Sequence, residues 1–323
     1  MSNWAVAVHG GAGSNVTGPR RDTILRELTS ITEKASRSLR KGGSAIDAVE
    51  QSVYLMEESG IFNAGLGSCL TSEGKAELEA GICRGSDQAT GSVLRVTNYP
   101  HPIKMARFVM DKTDMVSVHG DSALELMFPH GGGKQARLVT RKKLELWKTL
   151  MSNVASKKSH IGSFHPQTLR TILRSPAYRS IRKIGTVGAV ALDKSGELAA
   201  ANSTGGFWLK LPGRIGDSPT YGAGFFASPH GAAASTGVGE HMIRTHFCRA
   251  VVENMSSMAA QRAVRSAFDE LEALLGGNNA GLVAVDRKGQ VGVWHNTEGM
   301  CHAFLTSSLK APVVRSAVQP VKT

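Results

Sequence analysis

Residues 185–193 read Gly185-Thr186-Val187-Gly188-Ala189-Val190-Ala191-Leu192-Asp193. In this stretch a threonine directly follows a glycine and begins an apolar run with high β-propensity. A long basic segment with several turn residues precedes the junction. This order predicts a cut between Gly185 and Thr186, because the cut would give Thr186 a free α-amine beside its own hydroxyl. The nucleophile and its general base would then belong to one residue.

The bulk composition predicts a cytoplasmic protein without a membrane span. The 323 residues are 41% hydrophobic, which is enough for a substantial core. Apolar runs near the roughly 18 residues that span a bilayer do not occur, and residues 1–6 lack the features of a signal peptide. Four scattered cysteines show no metal-ligand spacing and are expected to be reduced.

The net charge of +12 belongs to one segment. Residues 131–185 contain thirteen basic residues and a single acidic one, Glu145, and the remainder of the chain is neutral. We interpret this segment as a solvated, mobile linker, with a polyanion or membrane-surface contact as the alternative. Its aromatic residues are too few and too dispersed for a base-stacking platform, which argues against nucleic-acid binding.

The patterns on the two sides of this segment differ. Residues 4–8 are predicted as a strand that ends in the glycine-rich turn His9-Gly10-Gly11-Ala12-Gly13. Helices are predicted over residues 22–41, 44–58, 102–110 and 122–127, with two or three strands between 67 and 96. After Thr186 the pattern predicts two hairpins with Asp-x-x-Gly turns (186–202 and 281–294), strands over 221–227 and 231–235, and helices over 239–254 and 258–275. Strands in runs and helices in pairs predict sheets layered with helices.

Three polar clusters are candidates for a site. Arg214 and Asp217 lie three apart in a loop fixed by glycine and proline, and together they could bind both charged groups of an α-amino acid. A surface ion pair is the alternative. Thr236 and the backbone of Gly237 could face a developing oxyanion, or could cap a helix. Ser203-Thr204 could end a strand in a plain turn. Zinc-binding histidine pairs, a phosphate-binding lysine loop and a serine nucleophile elbow are absent from the sequence.

Six short motifs, in this order, resemble the plant-type L-asparaginase and isoaspartyl peptidase family of N-terminal-nucleophile threonine hydrolases. They are residues 9–13, 62–68 (Phe-Asn-Ala-Gly-Leu-Gly-Ser), 185–193, 203–206 (Ser-Thr-Gly-Gly), 210–219 (Lys-Leu-Pro-Gly-Arg-Ile-Gly-Asp-Ser-Pro) and 236–240 (Thr-Gly-Val-Gly-Glu). They cover the chain outside the basic segment.

The resemblance implies an α+β fold, a four-layer αββα sandwich of the N-terminal-nucleophile hydrolase type. Self-cleavage would give an α subunit (1–185) and a β subunit (186–323) that form one folded domain, assembled as a dimer of such pairs. It also implies hydrolysis of L-asparagine and of β-aspartyl dipeptides without a required cofactor.

The resemblance also implies the roles of single residues. Thr186 would be the nucleophile and Thr204 its hydrogen-bond partner, and Thr236 with the N–H of Gly237 would form the oxyanion hole. Arg214 would hold the substrate α-carboxylate, and Asp217 with the Gly239 backbone would hold its α-amine. Asn63 would support the region of the catalytic amine. A structural sodium would be held by main-chain carbonyls of Met56, Glu57, Ser59, Phe62, Ala64 and Leu66.

Two positions depart from the family pattern. Glu79 and Arg84 stand where the family carries aspartates, which predicts altered packing near these strands and leaves the nucleophile untouched. Two other functions stay open: a taspase-like threonine endopeptidase, which also has a long basic linker, and an uncleaved pseudoenzyme whose basic segment binds polyanions. The Arg214–Asp217 pair argues against the endopeptidase, because a clamp for a free α-amino acid suits a small substrate.

Overall fold

A computed structural model describes residues 3–129, 138–155 and 185–317, and the side chains of 153–155 are not part of that description. Twelve strands in these ranges form two sheets. The larger sheet has the order β12-β11-β1-β5-β6-β2-β3-β4, and all of its pairings are antiparallel except that of β3 with β4. Its strands are β1 (Ala5–Gly13), β2 (Leu78–Arg84), β3 (Thr90–Val96), β4 (Ser117–His119), β5 (Val187–Leu192), β6 (Leu198–Thr204), β11 (Gly299–Thr306) and β12 (Val313–Arg315).

The smaller sheet has four antiparallel strands in the order β10-β9-β8-β7. They are β7 (Phe225–Ser228), β8 (Gly231–Gly237), β9 (Ala280–Asp286) and β10 (Val291–His295). The inner faces of the two sheets pack on each other through small and β-branched side chains, among them Val190, Ala200, Ala234 and Val283, all fully buried. The small side chains allow the two sheets to approach closely.

Helices cover the outer face of each sheet. The larger sheet packs against α1 (Gly18–Arg40), α2 (Ala45–Glu58), α3 (Pro102–Lys112), α4 (Gly120–Met127) and α5 (Arg141–Ala155), and the smaller one against α6 (Gly239–Thr245), α7 (Phe247–Asn254) and α8 (Ala260–Leu275). Each helix turns an apolar stripe toward its sheet, as Leu28, Ile31, Ala35 and Leu39 do on α1. The result is the predicted four-layer αββα sandwich.

The structure differs from the predicted elements in three places near the site. The glycine-rich residues 10–13, predicted as a turn, continue β1, with an irregular register between His9 and Ala12. The helix predicted over 239–254 breaks at His246, whose φ of 46° is left-handed. Strands β11 and β12 were not predicted, because β11 is defined by its pairing with β1, nearly the whole chain away.

The prediction of an irregular, mobile linker over 131–185 is wrong for residues 138–155. These residues contain α5, and Leu138 and Met151 are buried in the core beneath it. The indole Nε1 of Trp147 donates to the carbonyl of Thr71 at 2.9 Å. Apolar contacts and a hydrogen bond therefore hold α5 on the core, and the charge of the segment did not predict either of them. The remaining residues of the predicted linker, 131–137 and 156–184, lie outside the described residues.

Within the described ranges, none of the helices is long and apolar enough to cross a bilayer.

Candidate active site

Thr186 lies immediately before β5, at the edge of a cleft between the two sheets. Its side chain is nearly buried, with 6% exposed. The cleft is also lined by Thr204, Arg214, Asp217 and Gly237, so the structure brings these predicted site residues together. The hydroxyls of Thr186 and Ser218 are 2.9 Å apart and share a hydrogen bond. Ser218 was not predicted, because a serine in a Gly/Pro-rich loop gives no signal beyond a turn.

Gly185 fits a space that admits no side chain. A Cβ at this position would lie 2.5 Å from Cα of Gly11, 2.6 Å from the backbone nitrogen of Ala12 and 2.6 Å from Oγ1 of Thr236. The first two are backbone atoms, which cannot move aside as a flexible side chain would. The need for glycine is spatial.

Thr236 and Gly237 lie close to the Gly185–Thr186 peptide bond. Thr236 is fully buried at the end of β8, and its Oγ1 accepts a hydrogen bond from the N–H of Ala12 at 3.1 Å. Because that N–H donates to the Thr236 oxygen, the hydroxyl hydrogen of Thr236 is free to point elsewhere. Gly237 follows with a φ of 142° and lines the same cleft. The arrangement suits stabilisation of negative charge that develops on an oxygen next to Thr186.

Arg214 and Asp217 converge at Gly239. A Cβ on Gly239 would lie 2.7 Å from Nη2 of Arg214 and 2.8 Å from Oδ1 of Asp217, so a cationic and an anionic group approach one point. The Arg214 guanidinium lies 4.9 Å from the ring centre of Phe207 and donates from Nη2 to Oε1 of Glu240 at 3.0 Å. A small molecule with both an anionic and a cationic group would meet complementary charges here.

Asp217 has an unusual environment for a carboxylate. Burial raises its pKa to about 6, although the nearby Arg214 charge acts in the opposite direction, and Glu79 and Glu240 raise it further. Its Oδ2 accepts a long hydrogen bond of 3.4 Å from the Ser235 hydroxyl. A cationic ligand group would therefore meet a poorly solvated carboxylate.

Thr204 and Asn63 lie near Thr186, and their hydrogen bonds differ in detail from those expected. The Thr204 hydroxyl accepts from the N–H of Gly206 at 2.9 Å and thereby closes its own turn, while the Thr186 hydroxyl is bonded to Ser218. In this uncut chain, in which Thr186 is still joined to Gly185, a Thr186–Ser218 hydrogen bond takes the place of the expected Thr186–Thr204 bond. Asn63 donates to the carbonyl of Gly206 and accepts from the N–H of Cys69, so it ties this turn to the loop after α2.

A buried ion pair supports the loop that carries Arg214 and Asp217. Nζ of Lys210 and Oε1 of Glu79 are 2.8 Å apart, and both side chains are almost fully buried. The other oxygen of Glu79 accepts from the N–H of Gly216 at 3.0 Å, and Glu77 accepts from the N–H of Gly213 at 2.7 Å. Glu79 therefore anchors the cleft loop from β2. We predicted only a local packing effect at this position, because β2 is more than 130 residues from the loop.

Replacing Glu79 with glutamine is expected to destabilise the fold. The substitution leaves the Lys210 ammonium buried without its counter-ion, which typically costs about 3–5 kcal/mol. Urea unfolding would measure this, with Arg84→Ala as the matched control, because the exposed Arg84–Asp87 pair contributes about 0–1 kcal/mol. The double variant Glu79→Leu/Lys210→Met is expected to be more stable than Glu79→Gln. Equal stability of Glu79→Gln and the wild type would contradict the anchoring role.

The loop from Met56 to Leu66 closes on itself. A Cβ on Gly65 would lie 2.5 Å from the carbonyl oxygen of Glu57, and one on Gly67 would lie against the carbonyl oxygen of Phe62. The carbonyl oxygens of Glu57 and Phe62 thus lie against Gly65 and Gly67, within the loop. The carbonyl of Met56 accepts a hydrogen bond from the Ser59 hydroxyl, and that of Ala64 accepts one from the N–H of Gly67.

Comparison with known proteins agrees with this geometry. A family model described as asparaginase matches residues 2–314. This chain belongs to that family. A plant-type L-asparaginase of Pyrococcus horikoshii is 34% identical over 319 residues, covering 95% of this chain and 98% of the relative. An isoaspartyl peptidase of Salmonella typhimurium is 35% identical, covering 94% and 96% of the two chains.

A relative from Bos taurus carries both names, isoaspartyl peptidase and L-asparaginase. It is 33% identical to this asparaginase-family chain, and the match covers 91% of each protein. The family model, which matches residues 2–314, covers the motifs on both sides of the basic segment.

Proposed function

We propose that the protein is a self-cleaving threonine hydrolase that converts L-asparagine to L-aspartate and ammonia and cleaves β-aspartyl dipeptides. The observation that carries the proposal is one cleft that is lined by Thr186 and by the convergent pair Arg214 and Asp217. The names of the whole-length relatives support the same substrates. They do not favour the endopeptidase or the pseudoenzyme as alternatives.

Maturation begins with attack of the Thr186 hydroxyl on the carbonyl carbon of Gly185. The bond to the Thr186 nitrogen breaks, the nitrogen takes up the hydroxyl proton, and water opens the resulting ester. Oγ1 of Thr236 lies beside Gly185, 2.6 Å from the position that a Cβ of Gly185 would take, and in this proposal it stabilises the tetrahedral oxygen. The products are a chain that ends at Gly185 and a chain that begins at Thr186.

The same groups then hydrolyse the substrate. The α-amine of Thr186 has a reference pKa of about 7.7–8.0, so a large share is neutral near physiological pH and can accept the hydroxyl proton. The hydroxyl oxygen attacks the side-chain amide of the substrate, and Thr236 with the Gly237 N–H stabilises the oxyanion. The amine leaves with the proton that the α-amine carried, and water releases aspartate. Arg214 binds the α-carboxylate, and Asp217 with the Gly239 backbone binds the α-ammonium.

The remaining features of the proposal concern the assembly and its ions. A sodium ion would be held by main-chain carbonyls of the loop from Met56 to Leu66, because sodium prefers oxygen ligands, and the carbonyl oxygens of Glu57 and Phe62 lie within this loop. The residues that would hold it are Met56, Glu57, Ser59, Phe62, Ala64 and Leu66, and its role would be to fix the loop that carries Asn63. The matured enzyme would assemble as a dimer of αβ pairs. Four buried free cysteines support a cytoplasmic location.

Two measurements on the purified protein test this function. The intact mass should show two fragments that meet at the Gly185–Thr186 bond, and ammonia should be released from L-asparagine. Release of the second residue from a β-aspartyl dipeptide should accompany it. A protein that stays full-length and releases no ammonia would contradict the proposal.

Asparagine recognition is expected to weaken below pH 6. Asp217 must be ionised to hold the α-ammonium, and its pKa is raised to about 6 by burial, so protonation removes the contact as pH falls. The ratio of kcat/KM for asparagine to kcat/KM for succinamate, which lacks the amine, should fall by about tenfold per pH unit below pH 6. Because both substrates need the same nucleophile, titration of the Thr186 amine cancels in the ratio. A ratio that is constant between pH 5 and 8 would show that Asp217 does not bind the amine.

A further inference from the structure

A second cavity adjoins the active-site cleft, and the steps proposed above do not use it. Its volume is about 390 Å³. Its wall is largely apolar, formed by Ile24, Phe62, Leu146, Leu150 and Trp208, and one basic side chain, Arg20, also lines it. Arg20 has no ion-pair or hydrogen-bond partner among the residues that the structure describes. The cavity thus presents an apolar surface and an unpaired guanidinium.

Gly185 separates this cavity from the cleft. Gly185 lines the cavity, Thr186 lines the cleft, and the two spaces share no lining residue. The consecutive residues Phe207 and Trp208 line the cleft and the cavity respectively, so the two spaces are adjacent there as well. Gly185 occupies the gap against Gly11, whose Cβ position is 2.8 Å from Cα of Gly185. Once the proposed cut frees Gly185 to leave this gap, the cleft and the cavity become continuous beside the new α-amine.

Gly185 lies on the α-amine side of Thr186, and this is the side from which the leaving amine of a substrate is protonated. In the uncut chain the Gly185 carbonyl is bonded to the Thr186 nitrogen, so the vacated space lies next to that nitrogen. In the acylation step the bond from the substrate carbonyl to the leaving amine breaks, and the Thr186 amine delivers to it the proton taken from the hydroxyl. With the aspartyl part held by Arg214 and Asp217, the departing residue lies on the amine side.

We propose that this cavity is the binding subsite for the second residue of a β-aspartyl dipeptide and that it favours an apolar residue with a free carboxylate. The apolar wall would contact the side chain of that residue, and Arg20 would bind its carboxylate. The cavity remains intact after the cut, because α5, which carries Leu146 and Leu150, is anchored through Trp147 to Thr71. The inference rests on the proposed function and extends it to the leaving group.

The test compares kcat/KM for asparagine, β-aspartyl-glycine, β-aspartyl-leucine and β-aspartyl-leucinamide on the matured enzyme. We expect the wild type to prefer β-aspartyl-leucine to β-aspartyl-glycine by about tenfold or more. Arg20→Ala should lower the value for β-aspartyl-leucine about fivefold to tenfold. The same substitution should leave asparagine and the leucinamide within about twofold, because neither has the second carboxylate. Arg21→Ala, one residue along α1, serves as the matched control.

A second variant does not depend on Arg20. Leu146 is 45% exposed on α5, so Leu146→Glu should fold and place a negative charge at the cavity. It should lower kcat/KM for β-aspartyl-leucine about tenfold and leave asparagine unchanged, whereas Leu274→Glu, at a leucine on α8 that is 66% exposed, should change neither. A cut enzyme that hydrolyses asparagine but does not distinguish the two dipeptides would overturn the subsite alone. An uncut chain without asparaginase activity would overturn the proposed function as well.

Discussion

Replacing Thr186 with alanine is expected to leave a single full-length chain with no measurable asparaginase activity. The variant lacks the hydroxyl that attacks Gly185, so the α-amine that serves as general base is never released. Loss of a nucleophile that acts together with its base lowers kcat by about a millionfold in well-studied hydrolases. The fold should persist, because the lost hydroxyl makes one hydrogen bond, to Ser218, and a single hydrogen bond contributes about 1 kcal/mol.

Intact mass and ammonia release measure the two effects separately. Thr186→Ser keeps a hydroxyl and should still be cut, at a reduced rate. Thr90→Ala, at a partly buried threonine on β3 whose hydroxyl donates to the carbonyl of Ile82, is the matched control and should behave as the wild type. If the alanine variant is cut at the same bond, another group performs the cleavage and Thr186 is not the nucleophile of maturation.

Arg214→Ala is expected to lower kcat/KM for asparagine by about two to three orders of magnitude with little change in stability. Removing one member of a desolvated charge pair typically costs about 2–5 kcal/mol in binding. The contribution of Arg214 to folding is smaller, because its ion-pair partner Glu240 is half exposed and such pairs contribute about 0–1 kcal/mol. The Arg214→Ala variant should therefore fold normally although its kcat/KM for asparagine is low.

A substrate without the α-carboxylate separates binding from other effects of this variant. 3-Aminopropanamide lacks that group, so it should react poorly with the wild type and almost equally poorly with Arg214→Ala. Arg249→Ala, at an exposed arginine paired with Glu253 on α7, controls for the loss of charge. If the loss of kcat/KM caused by the substitution and the loss caused by the missing carboxylate add when both are combined, Arg214 does not hold the carboxylate.

Local chemistry explains why much of the fold could be predicted from the chain alone. The Asp-x-x-Gly hairpins form because Asp193 and Asp286 each accept hydrogen bonds from the backbone two residues ahead, at 2.9 Å. Helices α1 and α2 follow from apolar periodicity, which depends only on neighbouring residues. The Gly-Thr junction and the Arg214–Asp217 pair are also local signals, and the structure brings both to one cleft.

The amino-acid sequence by itself therefore determined the layered architecture, the nucleophile candidate and the charged clamp. Only the tertiary structure decided what supports them. The bond between Thr186 and Ser218, the anchoring of the clamp loop by Glu79, and the pairing of β11 with β1 all join residues far apart in the chain. The packing of α5 on the core depends on contacts with residues near Thr71. Such contacts arise from the way the folded layers meet, and no pattern within a short window of residues encodes them.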